Sequence, residues 1–156
     1  MSVKISNLTD YSSAEVRRLV RATLRDLDAD DVAVTVRYAV GRRRDHWGGR
    51  YREFWYPTRG EDRPQISARI PPQGAGEWPL TYRPYSRRDA PPILELGDWR
   101  ELLVAVVAHE GKHHLQTPRH QYGRKAGRKA APPRFREVEA DWAAYRAVLR
   151  MRGELR

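Results

Sequence analysis

The chain contains no cysteine, which excludes disulfides, cysteine-zinc sites and thiol nucleophiles and leaves every redox compartment open. It also lacks long apolar runs. The longest, Leu102 to Ala108, is far shorter than the ~20 residues a membrane helix needs. Residues Met1 to Asn7 carry no apolar stretch of the secretory kind, so the sequence predicts a cytoplasmic protein with no membrane span. Acidic residues are the minority, 20 against 30 Lys and Arg, giving a net charge of +10. That balance predicts acidic partners, with nucleic acid, anionic lipid and acidic protein as the candidates. Most of the cations are arginine, which a GC-rich genome would also produce.

What is present fits one globular domain over residues 1–156: 40% of residues are hydrophobic and 32% charged, a folded rather than a disordered composition. Ser12 and Glu15 have capping-box spacing ahead of Val16, Leu19, Val20, Leu24 and Leu27, predicting an amphipathic helix over 13–27. The acid cluster Asp26, Asp28, Asp30 and Asp31 lacks the central glycine and final glutamate of a calcium loop and reads as a solvated turn. Strict alternation over 32–40, with Val32, Val34, Val36, Tyr38 and Val40 on one face, predicts a strand with one buried side. A Gly/Arg-rich connection, 41–49, leads to a weaker aromatic strand near Tyr51 to Tyr56 and then a short strand, Gln65 to Ile70. Residues 71–92 hold six prolines and two glycines. They read as an irregular loop, of a length more often functional than idle.

A second helix begins at the Asp98/Glu101 pair and runs to about Gln116, where Thr117-Pro118 stops it. A basic loop, 117–136, follows. From Arg119 to Arg136 it holds seven Lys or Arg and no acid, and Arg124, Lys125, Arg128 and Lys129 are its candidate anion-binding residues. A solvated connection is the plainer account of the same charges. A last helix starts near Pro132 and Pro133 and ends near Met151, ahead of Gly153. The sum is an α+β domain: an N-terminal helix, a small mostly antiparallel sheet and two further helices.

The second helix carries His109-Glu110-Gly111-Lys112-His113, an HExxH sequence. Residues i and i+4 lie one above the other on a helix, so two imidazoles reach one metal ion. The adjacent glutamate then serves as general base toward a water that zinc acidifies to a pKa of about 7. Chance would place this pattern in roughly one such sequence in a hundred. On a helical wheel at about 100° per residue, His113 and Glu110 fall in the arc occupied by Trp99, Leu102, Leu103, Val106 and Val107. Buried there, histidines and a glutamate are costly unless paired or bound to metal.

A catalytic zinc takes three protein ligands and a water. Glu137 and Asp141 share a face of the last helix, as a candidate ligand and a candidate acceptor that orients a histidine. Glu139 points nearly opposite. His120 is a competing third ligand, and His114, one turn after Glu110, is either a partner of that base or a satisfied core histidine.

HExxH followed by Glu-x-x-x-Asp on a later helix resembles the gluzincin branch of the zincin metallopeptidases, over about residues 98–150. The resemblance implies Zn2+ held by His109, His113 and Glu137, Glu110 as general base, Asp141 behind a ligating histidine, and a protein or peptide substrate. It implies a minimal zincin fold whose edge strand, assigned to Gln65–Ile70, receives substrate backbone. The group that steadies the oxyanion stays open among Tyr145, Tyr122, His120 and His114. A third histidine would suit the SprT-like or metzincin branches, and a SprT-like, DNA-coupled protease would unite the site with the charge. The metzincin spacing fails, because position 119 is arginine and position 116 is glutamine. The rival from another class is a basic nucleic-acid-binding module with a structural metal.

Overall fold

The computed structural model describes residues 3–39, 47–52, 64–72, 74, 78–117 and 136–155. Among them the chain is α+β, with three helices, a four-stranded sheet and a two-stranded ribbon. Strand β1 (Ile5–Asn7) leads into helix α1 (Ser13–Asp26), whose N-terminus is capped by the Ser12 side chain accepting from Glu15 N–H. Strand β2 (Ala33–Tyr38) follows and pairs parallel with β1, so α1 is the crossover between two parallel neighbours. The chain then reaches the far edge as β3 (Gly48–Arg52) and returns inside it as β4 (Gln65–Ile70). The order is β1-β2-β4-β3, with β4 parallel to β2 and antiparallel to β3.

Two expectations change here. The antiparallel pairing expected of the sheet holds for β3 with β4 and for the ribbon of β5 (Leu80–Tyr82) and β6 (Leu94–Leu96), while β1 with β2 and β2 with β4 are parallel. A helix intervenes between β1 and β2, and β4 is inserted between β2 and β3, neither of which a reading of local periodicity registers. Gln65–Ile70 is a strand as expected, yet it is interior, paired on both sides, and cannot accept another backbone. The edge strands of the described sheet are β1 and β3, and β3 starts at Gly48, inside the segment read as a connection.

Helix α2 (Trp99–Leu115) is the centre of the molecule. Asp98 caps it by accepting from Arg100 and Glu101 N–H, while the Glu101 carboxylate accepts from Gly97 N–H. Every residue from Leu102 to Gly111 is buried, so burial extends all round the helix and not over one arc. The reason is its position: β3 and β4 pack on it from the sheet side, and α1 and the last helix, α3 (Glu137–Met151), pack on it from others. Leu102, Leu103, Val106 and Val107 join Val16, Val20, Leu24, Val34, Val36, Ile66 and Ile70 in one core. That makes α2 a rigid platform for any side chain it presents. Past α3, Gly153 adopts φ +76° and the chain closes with Glu154 N–H donating to Leu149 C=O at 2.9 Å. No described helix is long and apolar enough to cross a membrane.

Candidate metal centre

Two turns from its C-terminus, α2 presents His109 and His113 from the same face, as the i, i+4 spacing requires. Both are buried. Their Nε2 atoms lie 3.2 Å apart, and Glu137, on the first turn of α3, closes the triangle: Oε2 is 3.1 Å from His109 Nε2 and Oε1 3.3 Å from His113 Nε2. A tetrahedral zinc with ligand bonds of about 2.0–2.1 Å sets its donor atoms about 3.3 Å from one another. The separation of the two nitrogens, and of each nitrogen from its nearer Glu137 oxygen, lies close to that figure, so the residues suit the ion in number and type, with one carboxylate oxygen as the third donor. Glu137 is the exposed member of the set, which leaves an approach from solvent on its side.

The far nitrogen of each imidazole is held. His113 Nδ1 is 2.9 Å from Gln116 Oε1. His109 Nδ1 faces Asp141 Oδ1 at 3.4 Å and the Tyr82 hydroxyl at 3.0 Å. Asp141 is fully buried, and its other oxygen accepts from Ser86 N–H at 2.9 Å and Ser86 Oγ–H at 2.7 Å. Burial alone would raise the Asp141 carboxyl, but the bonds from His109 and Ser86 outweigh it and hold the pKa below the ordinary carboxylate value. Burial depresses His109, and its bond to Asp141 with the charges of Glu110, Glu137 and Asp141 reverses that, leaving the imidazole above its usual pKa. Burial also pushes the Tyr82 phenol well up, so it stays protonated.

Glu110 stands beside the two histidines and is itself buried. Burial raises its pKa; the neighbouring imidazoles and a hydrogen bond from the Tyr51 backbone oppose this, and Glu137 adds to it. A carboxylate whose pKa is raised by burial and that lines a small cleft is suited to taking up a proton. The cleft, about 280 Å3, is walled by Gly49, Arg50 and Tyr51 of β3, by Tyr85, and by His109, Glu110, His113 and Glu137. Gly49 is there for space: a Cβ would sit 2.6 Å from Glu110 Cγ and 2.7 Å from Val106 Cγ1. Gly49→Ala should therefore lower stability by about 1–3 kcal/mol, the usual cost of overpacking. A urea midpoint unchanged from the parent would show that β3 has slack.

Among the other expected site residues, Tyr145 packs edge-on against Trp142 at 5.5 Å and joins the core margin, away from the cleft wall. His114 is a core histidine with both ring nitrogens engaged, Nε2 with Asp31 Oδ1 at 2.6 Å and Nδ1 with the Tyr51 hydroxyl at 2.9 Å. Asp31 lies exposed in the turn that the acid cluster was read as, and from there its carboxylate also reaches His114 of α2. Glu139 does turn away from the ligand triangle, but its Oε2 accepts from Gln116 Nε2 at 3.0 Å. His120, Tyr122, Arg124, Lys125, Arg128 and Lys129 lie outside the described residues.

Sequence reasoning missed Tyr82, Tyr85, Ser86, Gly49 and Gln116. The first three come from the proline-rich stretch, where no periodicity marks a side chain's direction. Its length was the only signal. A scan against protein-family models finds no match to the chain, and comparison with curated proteins and with solved structures finds none either.

Proposed function

We propose that the protein is a zinc-dependent hydrolase of peptide bonds, in keeping with its resemblance to gluzincin metallopeptidases. The observation that carries this reading is the cluster of His109 Nε2, His113 Nε2 and the Glu137 carboxylate, whose two oxygens lie 3.1 Å from the first nitrogen and 3.3 Å from the second, with a further carboxylate, Glu110, beside it. Bound there, zinc would lower the pKa of a water and polarise a substrate carbonyl. Glu110 would be the general base of the reaction, its carboxylate taking up a proton from the attacking water and returning it to the leaving amine. Asp141 and Gln116 keep the two imidazoles turned inward.

Peptide, as substrate, is favoured by β3. One side of this strand pairs with β4, and the other has no partner strand among the described residues. It runs along the cleft wall, where an extended chain adds to it by backbone hydrogen bonds. Tyr85 stands on the opposite wall, 76% exposed, its ring 5.7 Å from that of His109. It takes the oxyanion-stabilising role that the sequence left open. The test is cleavage of an unfolded protein substrate with and without a chelator. Cleavage should vanish on metal removal and return with added zinc. Cleavage indifferent to the chelator would assign the activity elsewhere.

A further inference from the structure

We propose that Gln116 is a positioning residue that presets the metal-binding triangle, fixing the tautomer of His113 and the start of the helix that carries Glu137. The inference rests on the metal-site reading above. Gln116 is the C-cap of α2 and is 6% exposed. Its carboxamide has no freedom to flip. Oε1 accepts from Arg136 N–H at 3.1 Å, a group that can only donate. Nε2 donates to Arg136 C=O at 3.1 Å, a group that can only accept, and to Glu139 Oε2 at 3.0 Å.

The rest follows from donor and acceptor identity. Gln116 Oε1 is an acceptor, so His113 Nδ1 at 2.9 Å must be the donor. The proton sits on Nδ1, and Nε2 is left with a bare lone pair. Nε2 is the atom that faces His109 Nε2 and Glu137 Oε1. The same amide pairs with both backbone groups of Arg136, the residue immediately before Glu137. Arg136 is the N-cap of α3 and supplies no side-chain cap of its own. One side chain therefore joins a ligand on α2 to the turn that bears the third ligand, 20 residues further along the chain. All four hydrogen-bonding positions of the amide are used, two lone pairs and two N–H. Such full use is what a specified geometry requires and a merely buried glutamine does not.

The test uses the intact protein, stripped of metal, with two variants. Gln116→Ala removes the amide. Gln116→Glu combined with Glu139→Gln restores an acceptor toward His113 and Arg136 N–H and inverts the bond between positions 116 and 139, while giving up the bond to Arg136 C=O. Long-range 1H–15N correlations of the imidazoles report the His113 tautomer, and chelator competition reports zinc affinity. The parent should show His113 protonated on Nδ1. Gln116→Ala should lose that preference and weaken zinc binding about 10- to 100-fold, as lost outer contacts to metal ligands do. The double variant should recover the tautomer and most of the affinity. A change in packing alone would alter melting without restoring the tautomer in the double variant. Parental tautomer and affinity in Gln116→Ala would overturn the proposal. So would a folded double variant with His113 protonated on Nε2, which also decides the matter if Gln116→Ala does not fold. A parent that binds no zinc but shows the Nδ1 proton, lost in Gln116→Ala, would refute the metal reading while leaving the histidine-orienting role intact.

Discussion

Glu110→Gln should fold, bind zinc as the parent does, and lose hydrolysis by at least about 10²-fold, the range for a removed general base. The structure explains why the three outcomes separate. Glu110 lies outside the triangle formed by His109, His113 and Glu137, so no metal bond is lost. Glutamine has the same size, so the tight approach of Gly49 to the Glu110 side chain is preserved. The Tyr51 backbone hydrogen bond still finds an amide oxygen to receive it. What disappears is a carboxylate whose pKa burial has raised, placed where it can take and return a proton. Parental cleavage by Glu110→Gln would mean that the activity belongs to another site or another protein.

Alanine at His109, His113 or Glu137 should abolish tight zinc binding and with it a measurable part of stability. An ion that binds only the folded chain adds about 2.7 kcal/mol when its free concentration is 100 times its dissociation constant. For a chain of this size, that is roughly 5–10 °C in melting temperature. The three variants should melt alike with or without zinc, whereas the parent should gain stability when zinc is added. Glu139→Ala is the comparison. Its Oε2 touches Gln116 and no ligand nitrogen, so it should keep the zinc and lose only part of the affinity. Full retention in Glu137→Ala with loss in Glu139→Ala would name the other carboxylate as the ligand.

The elements that signal through caps and periodicity were legible. Ser12 and Asp98 start α1 and α2 where the sequence places them, and β2 and β4 form where strands were expected, although Thr35, assigned to the open face of β2, is buried. The HExxH pair and the face shared by Glu137 and Asp141 were also legible, because helical geometry alone decides which side chains coincide. Sheet order was not. Whether Gln65–Ile70 lies inside or at an edge depends on where Gly48–Arg52 goes, and nothing local to either segment says so. The contacts that hold the site were equally hidden. Ser86 meets Asp141 across 55 residues and Tyr82 meets His109 across 27, while β5 and β6 have three residues each, too few for a pattern. Gln116 could be read as the end of a helix, and its partner at Arg136 could not. Asp31 and His114 pair across 83 residues, a contact that nothing local to an exposed turn announces.

The central claim is tested most directly by the metal content and coordination of the purified protein, measured by elemental analysis and zinc X-ray absorption. The account predicts about one zinc per chain, with two imidazole nitrogens, one carboxylate from the protein and a remaining position taken by solvent. A protein that neither carries nor takes up zinc would contradict it, and so would zinc enclosed by four protein ligands with no position open to substrate.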